Sequence, residues 1–289
     1  MMATANFGVT RAARFELVDK LFIGSSMFRQ GIDIDVVAAD DETAYLLAYN
    51  GNQPVLELQE LRRFFELGGR TNEVIVDMYA YSLAAMPKLS DTRVLLDDFD
   101  GRYVNRIWRA VATRCFDWTT YYQMRFQANN ELLLTAPISF ATINRRYKNG
   151  GNLGTRSGSP TERLMKLPML PDCDVFQTSQ ANALIELVEL CHAYGAQVTF
   201  VETPKYCRIF MGSESYVHAM ENYLKLLDGC KCRLVMHDET LSRISSTPAA
   251  GVLAYSFDYS DAESYSDLIH LSSDGRKMFS ATLKALLAQ

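Results

Sequence analysis

The stretch KLFIGSS, residues 20–26, joins a short apolar run to a glycine and two serines. Four more apolar runs of similar length occur at residues 44–49, 73–78, 197–201 and 232–236. Continuous runs of this kind are typical of parallel strands that helices cover on both faces, whereas half-exposed strands alternate apolar and polar residues. The sequence therefore predicts five parallel strands, the first of which is residues 20–23.

Amphipathic helices are predicted between these strands. Pro54 is suited to the first turn of a helix whose apolar residues recur at helical spacing until Gly68. Further helices are expected around residues 183–191, from Ser215 onward, and at the end of the chain. This alternation predicts an α/β protein with a flavodoxin-like three-layer α/β/α architecture and a five-stranded parallel sheet.

The chain is expected to form a single domain over residues 1–289. A chain of this length can bury one full hydrophobic core, and neither an internal repeat nor a linker divides the sequence. Residues 98–172 interrupt the alternation, first with aromatic-rich helical sequence and then with a long stretch rich in glycine and basic residues. We predict a helical and loop insertion there, because a long stretch without periodicity is either functional or disordered.

The composition excludes several classes of protein. Hydrophobic residues make up 48% and charged residues 22% of the chain, which is ordinary for a globular protein. The net charge of −5 provides no broad basic field, so we expect no nucleic-acid partner. No apolar run reaches the roughly 18 residues of a membrane span, and residues 1–7 lack the features of a signal peptide. A cytoplasmic protein is therefore expected.

The six cysteines are predicted to be reduced thiols. They are scattered along the chain, and only Cys230 and Cys232 form a close pair, which lacks the second half of a zinc site. Several are expected to be buried as small apolar residues, among them Cys191, which continues the apolar stripe of a helix. We expect neither a metal site nor a cofactor.

Ligands of an open parallel sheet bind beyond the carboxyl ends of its strands, and the first polar cluster at such an end is Gly24-Ser25-Ser26. Ser26 would lie exposed at the N-terminus of the following helix, where backbone N–H groups can stabilise developing negative charge. It is therefore a candidate nucleophile. The alternative is that one of the two serines only caps the helix, as most serines after strands do.

The second cluster is Asn50-Gly51-Asn52, at the end of the second predicted strand. A glycine lets the backbone approach a ligand closely and offers an N–H group without steric bulk. An ordinary Asn-Gly turn explains the same residues equally well.

The third cluster precedes the last predicted helix and contains Asp267 and His270. An aspartate three residues before a histidine in a loop can bring its carboxylate to the imidazole and fix the tautomer. It can also stabilise the imidazolium that forms when the histidine takes a proton. Ser272, Ser273 or Asp274 would cap the helix and hold the histidine against a rigid element.

The three clusters, in this chain order, resemble the SGNH (GDSL-like) hydrolase superfamily. The similarity is greatest to the DltD- and AlgX-like O-acyltransferase and esterase proteins of bacterial cell-surface polymers. These proteins use Gly-Ser-Ser in place of Gly-Asp-Ser, followed by a phrase such as RQGID, residues 29–33 here. Residues 50–54, NGNQP, and residues 200–204, FVETP, match further blocks, whereas residues 98–172 match least.

This resemblance implies an SGNH fold in which Ser26, His270 and Asp267 act as nucleophile, base and orienter. Ser26 would attack an ester carbonyl and form an acyl-enzyme, which water or a sugar hydroxyl then resolves. Asp267 would orient His270 without accepting the proton itself.

One block of the superfamily is missing. Gly-x-Asn-Asp should follow the third strand, where residues 79–82 read YAYS; the polysaccharide-modifying relatives often lack this block too. The oxyanion hole would then rest on the N–H groups of the nucleophile and Gly51, with Asn52 or Tyr81 as an additional donor and Ser25 as a nearby substrate contact. Losing one such donor lowers a rate by about 10²–10³, so slow turnover of simple esters is expected.

The function implied is that of a serine esterase or O-acyltransferase acting on acyl esters, with acetylated carbohydrate or a cell-surface polymer as substrate. A non-catalytic relative that binds a glycan or a protein partner is the main alternative. A flavodoxin-like binder of flavin or nucleotide would share the sheet but would explain neither Asp267 nor His270. Because the polymer-modifying relatives work outside the membrane, association with the cell envelope stays open.

Three more polar residues fall at strand ends. Asp77 and Glu202 end the third and fourth predicted strands, and each is expected to line the pocket or to cap a neighbouring helix. His237 follows the fifth strand and is a weaker candidate for a substrate contact.

Overall fold

Six parallel strands form one sheet among the residues that the structure describes. The structure, a computed structural model, describes residues 8–91, 94, 98, 100–111, 175–206, 214–245, 251–258, 261–267 and 269–289. The strands are β1 Val18–Gly24, β2 Ala44–Ala48, β3 Thr71–Asp77, β4 Gln197–Val201, β5 Arg233–His237 and β6 Val252–Tyr255. They lie in the order β2-β1-β3-β4-β5-β6, and every neighbouring pair is parallel.

The five predicted strands correspond to β1 to β5, but the predicted number of strands was wrong. β6 extends the sheet by pairing with β5, in a register that runs from Leu234 opposite Val252 to His237 opposite Tyr255. It has only four residues, and three of these are half-buried or exposed. A short strand at the edge of a sheet lacks the continuous apolar run that identifies the buried strands, so the sequence pattern did not reveal it.

Helices cover both faces of the sheet. They are α1 Gly8–Ala12, α2 Ser26–Gly31, α3 Ile34–Val37, α4 Pro54–Glu66, α5 Ala80–Ala84, α6 Gly101–Val111, α7 Thr178–Ala193, α8 Glu214–Leu226, α9 Asp238–Arg243 and α10 Ser273–Leu287, with a 3₁₀ turn at Ala262–Ser264. Leu21 and Ile23 lie in one core with residues of α1, α4, α7 and α8, whereas Phe22 lies in a second core with residues of α2, α3 and α10. Because successive side chains of a strand point to opposite faces, the sheet is the middle layer of three.

The last helix brings the C-terminal part of the chain to the end of β1. α10 packs against α2 and α3, and Ser272 caps it by accepting a hydrogen bond from the N–H of Gly275 at 3.2 Å. Gly275 itself lies so close to the backbone of Ser264 that an added Cβ would lie 2.0 Å from the Ser264 carbonyl oxygen. The loop that carries Asp267 and His270 therefore lies between Ser264 and the capped start of α10, and the close contact of Gly275 with Ser264 holds these two points together.

The predicted insertion is described only in part. α6 falls within residues 98–172 and buries Trp108, whereas residues 112–174 lie outside the described residues, as do Cys115, Cys173 and Cys207. The three described cysteines are free, and Cys191 is buried as expected. In the part of the chain that the structure describes, no helix has the length and apolarity needed to cross a bilayer. The single-domain organisation stays a prediction.

Candidate active site

The candidate nucleophile follows a sharp junction between β1 and α2. β1 ends at Gly24, Ser25 is the N-cap residue, and half-buried Ser26 begins α2. A glycine is required at position 24 because β1 and β3 approach closely there: an added Cβ would lie 2.5 Å from the Cβ of Asp77. Ser26 is thus set at the carboxyl edge of the sheet by the elements on both sides of it.

A tight loop presents the candidate base. Tyr265 and Leu271 form an isolated antiparallel bridge, and the N–H of Ser266 donates to the carbonyl of His270 at 2.9 Å. Within this loop, Asp267 Oδ1 accepts hydrogen bonds from the backbone N–H groups of Ile269 and His270, each at 3.0 Å. The Asp267 carboxylate therefore stabilises the shape of the loop in addition to contacting the imidazole.

Ser26, His270 and Asp267 lie in one hydrogen-bonded row. His270 Nε2 is 2.8 Å from Ser26 Oγ, and His270 Nδ1 is 2.9 Å from both carboxylate oxygens of Asp267. A carboxylate can only accept, so the proton of the imidazole belongs on Nδ1, which leaves Nε2 to accept from the serine hydroxyl. The side chains of His270 and Asp267 are 11% and 18% exposed, so they are held by the protein and still border solvent.

Comparison with known proteins adds no family assignment, since no protein-family model and no curated protein matches the chain. The likeness to SGNH hydrolases consequently stays a prediction that rests on the residues quoted above and on the geometry of Ser26, His270 and Asp267.

In the turn at residues 50–53, Gly51 faces outward and Asn52 faces inward. Gly51 is exposed, has φ +62°, and sits against Ser90, whose Cβ would lie 2.9 Å from an added Cβ. The side chain of Asn52 is buried, and its Nδ2 donates to the carboxylate of Glu60 at 3.2 Å. The Asn52 amide nitrogen is thus engaged inside the protein, whereas the Gly51 N–H donates to no other described residue.

Two more of the predicted binding residues are buried. Ser25 is 2% exposed, and its hydroxyl contacts Asp77 and the backbone of Met27. Tyr81 is 4% exposed and packs its ring against those of Tyr79 and Tyr216, with centroids 5.5 and 6.4 Å apart. Neither side chain faces solvent as a substrate contact would, so of the predicted oxyanion donors only the backbone N–H groups of Ser26 and Gly51 remain.

A buried cation lies behind this edge of the sheet and had no sequence signal of its own. Lys205, which follows β4, is fully buried and donates to the Thr203 carbonyl at 2.9 Å and to the Tyr216 hydroxyl at 3.3 Å. Burial lowers the pKa of Lys205, while attraction to Glu202 and Asp77 opposes that shift. Two carboxylates that end neighbouring strands were the available hint, because buried anions require a nearby cation.

Glu202 and His237 are both satisfied inside the protein. Glu202 accepts from the Tyr216 hydroxyl, from the N–H of His237 at 2.9 Å, and from the Thr240 hydroxyl at 2.8 Å, so it supports the start of α9. The ring of His237 is 2% exposed and lies with Nε2 3.0 Å from the Phe257 carbonyl. The position of His237 gives no support to its predicted substrate contact.

Proposed function

We propose that this protein is a serine esterase or O-acyltransferase of the SGNH-hydrolase type, which forms an acyl-enzyme on Ser26. The observation that carries the proposal is the row of hydrogen bonds from Ser26 Oγ through His270 to Asp267. The site also lies where ligands are expected in such a sheet. The chain runs outward from β1 to β2 on one side and to β3 on the other, and a crevice forms at such a switch point.

The mechanism uses each residue in the role that its contacts allow. His270 Nε2 accepts the proton of the Ser26 hydroxyl as Oγ attacks the ester carbonyl, and Asp267 stabilises the imidazolium. When the tetrahedral intermediate collapses, the C–O bond to the leaving alcohol breaks and His270 returns the proton to that alcohol. Water or a sugar hydroxyl, deprotonated by His270, then attacks the acyl carbonyl; the bond to Ser26 Oγ breaks, and His270 returns the proton to that oxygen.

Backbone N–H groups supply the oxyanion hole in this proposal. The N–H groups of Ser26 and Gly51 make no hydrogen bond to another described residue, so both are available to a developing negative charge. Asn52 and Tyr81 stay further candidates only if they leave the buried positions described above. The proposed substrate class, an acylated carbohydrate or cell-surface polymer, follows from the resemblance in the RQGID and NGNQP phrases.

The proposal is tested by covalent labelling of the purified chain with a fluorophosphonate, followed by intact-mass spectrometry. An activated serine displaces fluoride and forms a stable P–O bond, so the wild type is expected to gain one adduct. Ser26→Ala and His270→Ala should gain none, whereas Ser242→Ala, which changes an exposed serine on α9, should label like the wild type. A folded wild type without an adduct would contradict the proposal and favour the glycan- or partner-binding alternative.

Gly51→Ala is expected to lower the rate of Ser26 labelling by about 10–100-fold. An alanine is strained at φ +62° and its Cβ would collide with Ser90, so the turn would shift and move one oxyanion donor. The matched control is Gly68→Ala, because Gly68 has φ +82° but open space around it at the end of α4. Equal labelling rates for the two variants would show that Gly51 contributes only a turn.

A further inference from the structure

Asp77 ends β3 beside the junction that carries the candidate nucleophile. The hydroxyl of Ser25 donates to Asp77 Oδ2 at 2.5 Å, and the N–H of Ser25 approaches the same oxygen at 3.4 Å. The carboxyl group is buried, and the missing side chain of Gly24 allows the two strand ends to meet. Asp77 therefore holds the residue directly before Ser26 from the neighbouring strand.

The Ser25 hydroxyl is engaged on both sides. It donates its only proton to Asp77 and accepts a hydrogen bond from the N–H of Met27 at 3.2 Å, which caps α2. Because Ser25 is buried, water cannot readily replace a lost partner. The direction of this hydroxyl, and with it the start of α2, therefore depends on the acceptor that Asp77 provides.

The surroundings of Asp77 decide whether its carboxyl group is ionised and can accept hydrogen bonds from Ser25. Burial raises the pKa of Asp77 to about 6, while the hydrogen bond from Ser25 and attraction to Lys205 act in the opposite direction. Lys205 is itself held in place by Thr203 and Tyr216. Near neutral pH the carboxyl group is therefore mostly ionised, which suits an acceptor of two hydrogen bonds from one residue.

We propose that Asp77 is a positioning residue that acts through Ser25 to hold the Ser26 hydroxyl on His270. The inference rests on the proposed function, because it concerns the reactivity of Ser26. The expected size of the effect follows from the sensitivity of catalysis to geometry, since a displacement of about 1 Å can lower a rate by roughly 10².

The test is a double-mutant cycle on the rate constant for fluorophosphonate labelling of folded protein. Ser25→Ala and Asp77→Ala are each expected to lower this rate constant by about 10–100-fold. The double variant should be no slower than the slower single variant, because both changes break the same link. Asp77→Asn should stay within about tenfold of the wild type, because its amide oxygen can still accept from the Ser25 hydroxyl.

A variant that only loses stability should melt at a lower temperature without labelling more slowly when folded. Thr71→Val is the matched control, since it removes a buried hydroxyl that donates to the Glu73 carbonyl at the opposite end of β3. It should lower the melting temperature and leave the labelling rate of folded protein unchanged. Wild-type rates in both Ser25→Ala and Asp77→Ala would overturn the positioning role, and so would fully additive losses in the cycle.

A second readout separates this inference from the proposed function. If the wild type does not label, the NMR signal of His270 Nε2, assigned with His270→Ala, still reports the contact with Ser26. A change of that signal in Ser25→Ala, but not in Thr71→Val, would support positioning by Asp77 without catalysis. An unchanged signal would overturn it. If the wild type labels and Ser25→Ala labels equally fast, the esterase proposal stands and the role of Asp77 fails.

Discussion

Asp267→Asn is expected to lower both the labelling rate of Ser26 and any ester turnover by about 10³–10⁴. Both carboxylate oxygens of Asp267 face His270 Nδ1 at 2.9 Å. An asparagine presents an NH₂ group toward that nitrogen, which favours the tautomer with its proton on Nε2. His270 would then direct a donor at Ser26 and could not take the serine proton.

The rate constants for labelling and for hydrolysis of p-nitrophenyl acetate measure this effect. The asparagine oxygen can still accept from the N–H groups of Ile269 and His270, so the loop and the melting temperature should change little. Asp274→Asn is the control, because it changes an exposed aspartate in the first turn of α10. An Asp267→Asn variant as fast as the wild type would rule out an orienting role for Asp267.

Glu57→Gln is expected to stabilise the protein at alkaline pH. Glu57 lies on α4 and is 4% exposed; burial raises its pKa to about 8, and repulsion by Asp77 adds to the shift. An unfolded glutamate ionises near pH 4.5. Between that pH and about 8 the folded state keeps a proton that the unfolded state has lost, so stability falls as the pH rises. Glutamine, which is neutral throughout, removes a penalty on the order of 3–5 kcal/mol above pH 8.

Urea unfolding at several pH values between 4 and 9 tests this sign and size. The free energies of unfolding of the wild type and Glu57→Gln should be similar near pH 4 and should separate progressively until about pH 8. Glu189→Gln, which changes an exposed glutamate on α7, should follow the wild type at every pH. Parallel curves for the wild type and Glu57→Gln would mean that the buried carboxyl group is ionised without cost.

The central strands were predictable from sequence because their burial is nearly complete. Leu21, Phe22 and Ile23 are all fully buried although they alternate between two cores, and an uninterrupted apolar run records this arrangement. β6 was not predicted because Val252 and the two residues after it are only half-buried or exposed. At a sheet edge, burial depends on which element lies beside the strand, and a single stretch of sequence does not contain that information.

In the candidate site, the predictable part was what local sequence controls. The spacing of Asp267 and His270 brings their side chains together within one short loop, and the glycine-serine junction fixes where Ser26 emerges. The inward turn of Asn52 depends instead on Glu60, and that of Ser25 on Asp77. These partners come from other elements, so the direction of such a side chain is a property of the assembled sheet.

Ser26 and His270, which are hydrogen-bonded, are separated by 244 residues of chain. At roughly 5–20 residues per second, a ribosome that has just made Ser26 needs about 12 s or more to make its partner. Throughout that interval the serine is an ordinary alcohol. If Ser26 is the proposed nucleophile, its reactivity therefore arises only after His270 has been synthesised, and a shorter nascent chain would not be acylated by substrate. A fluorophosphonate added during translation would accordingly mark only molecules in which α10 has docked.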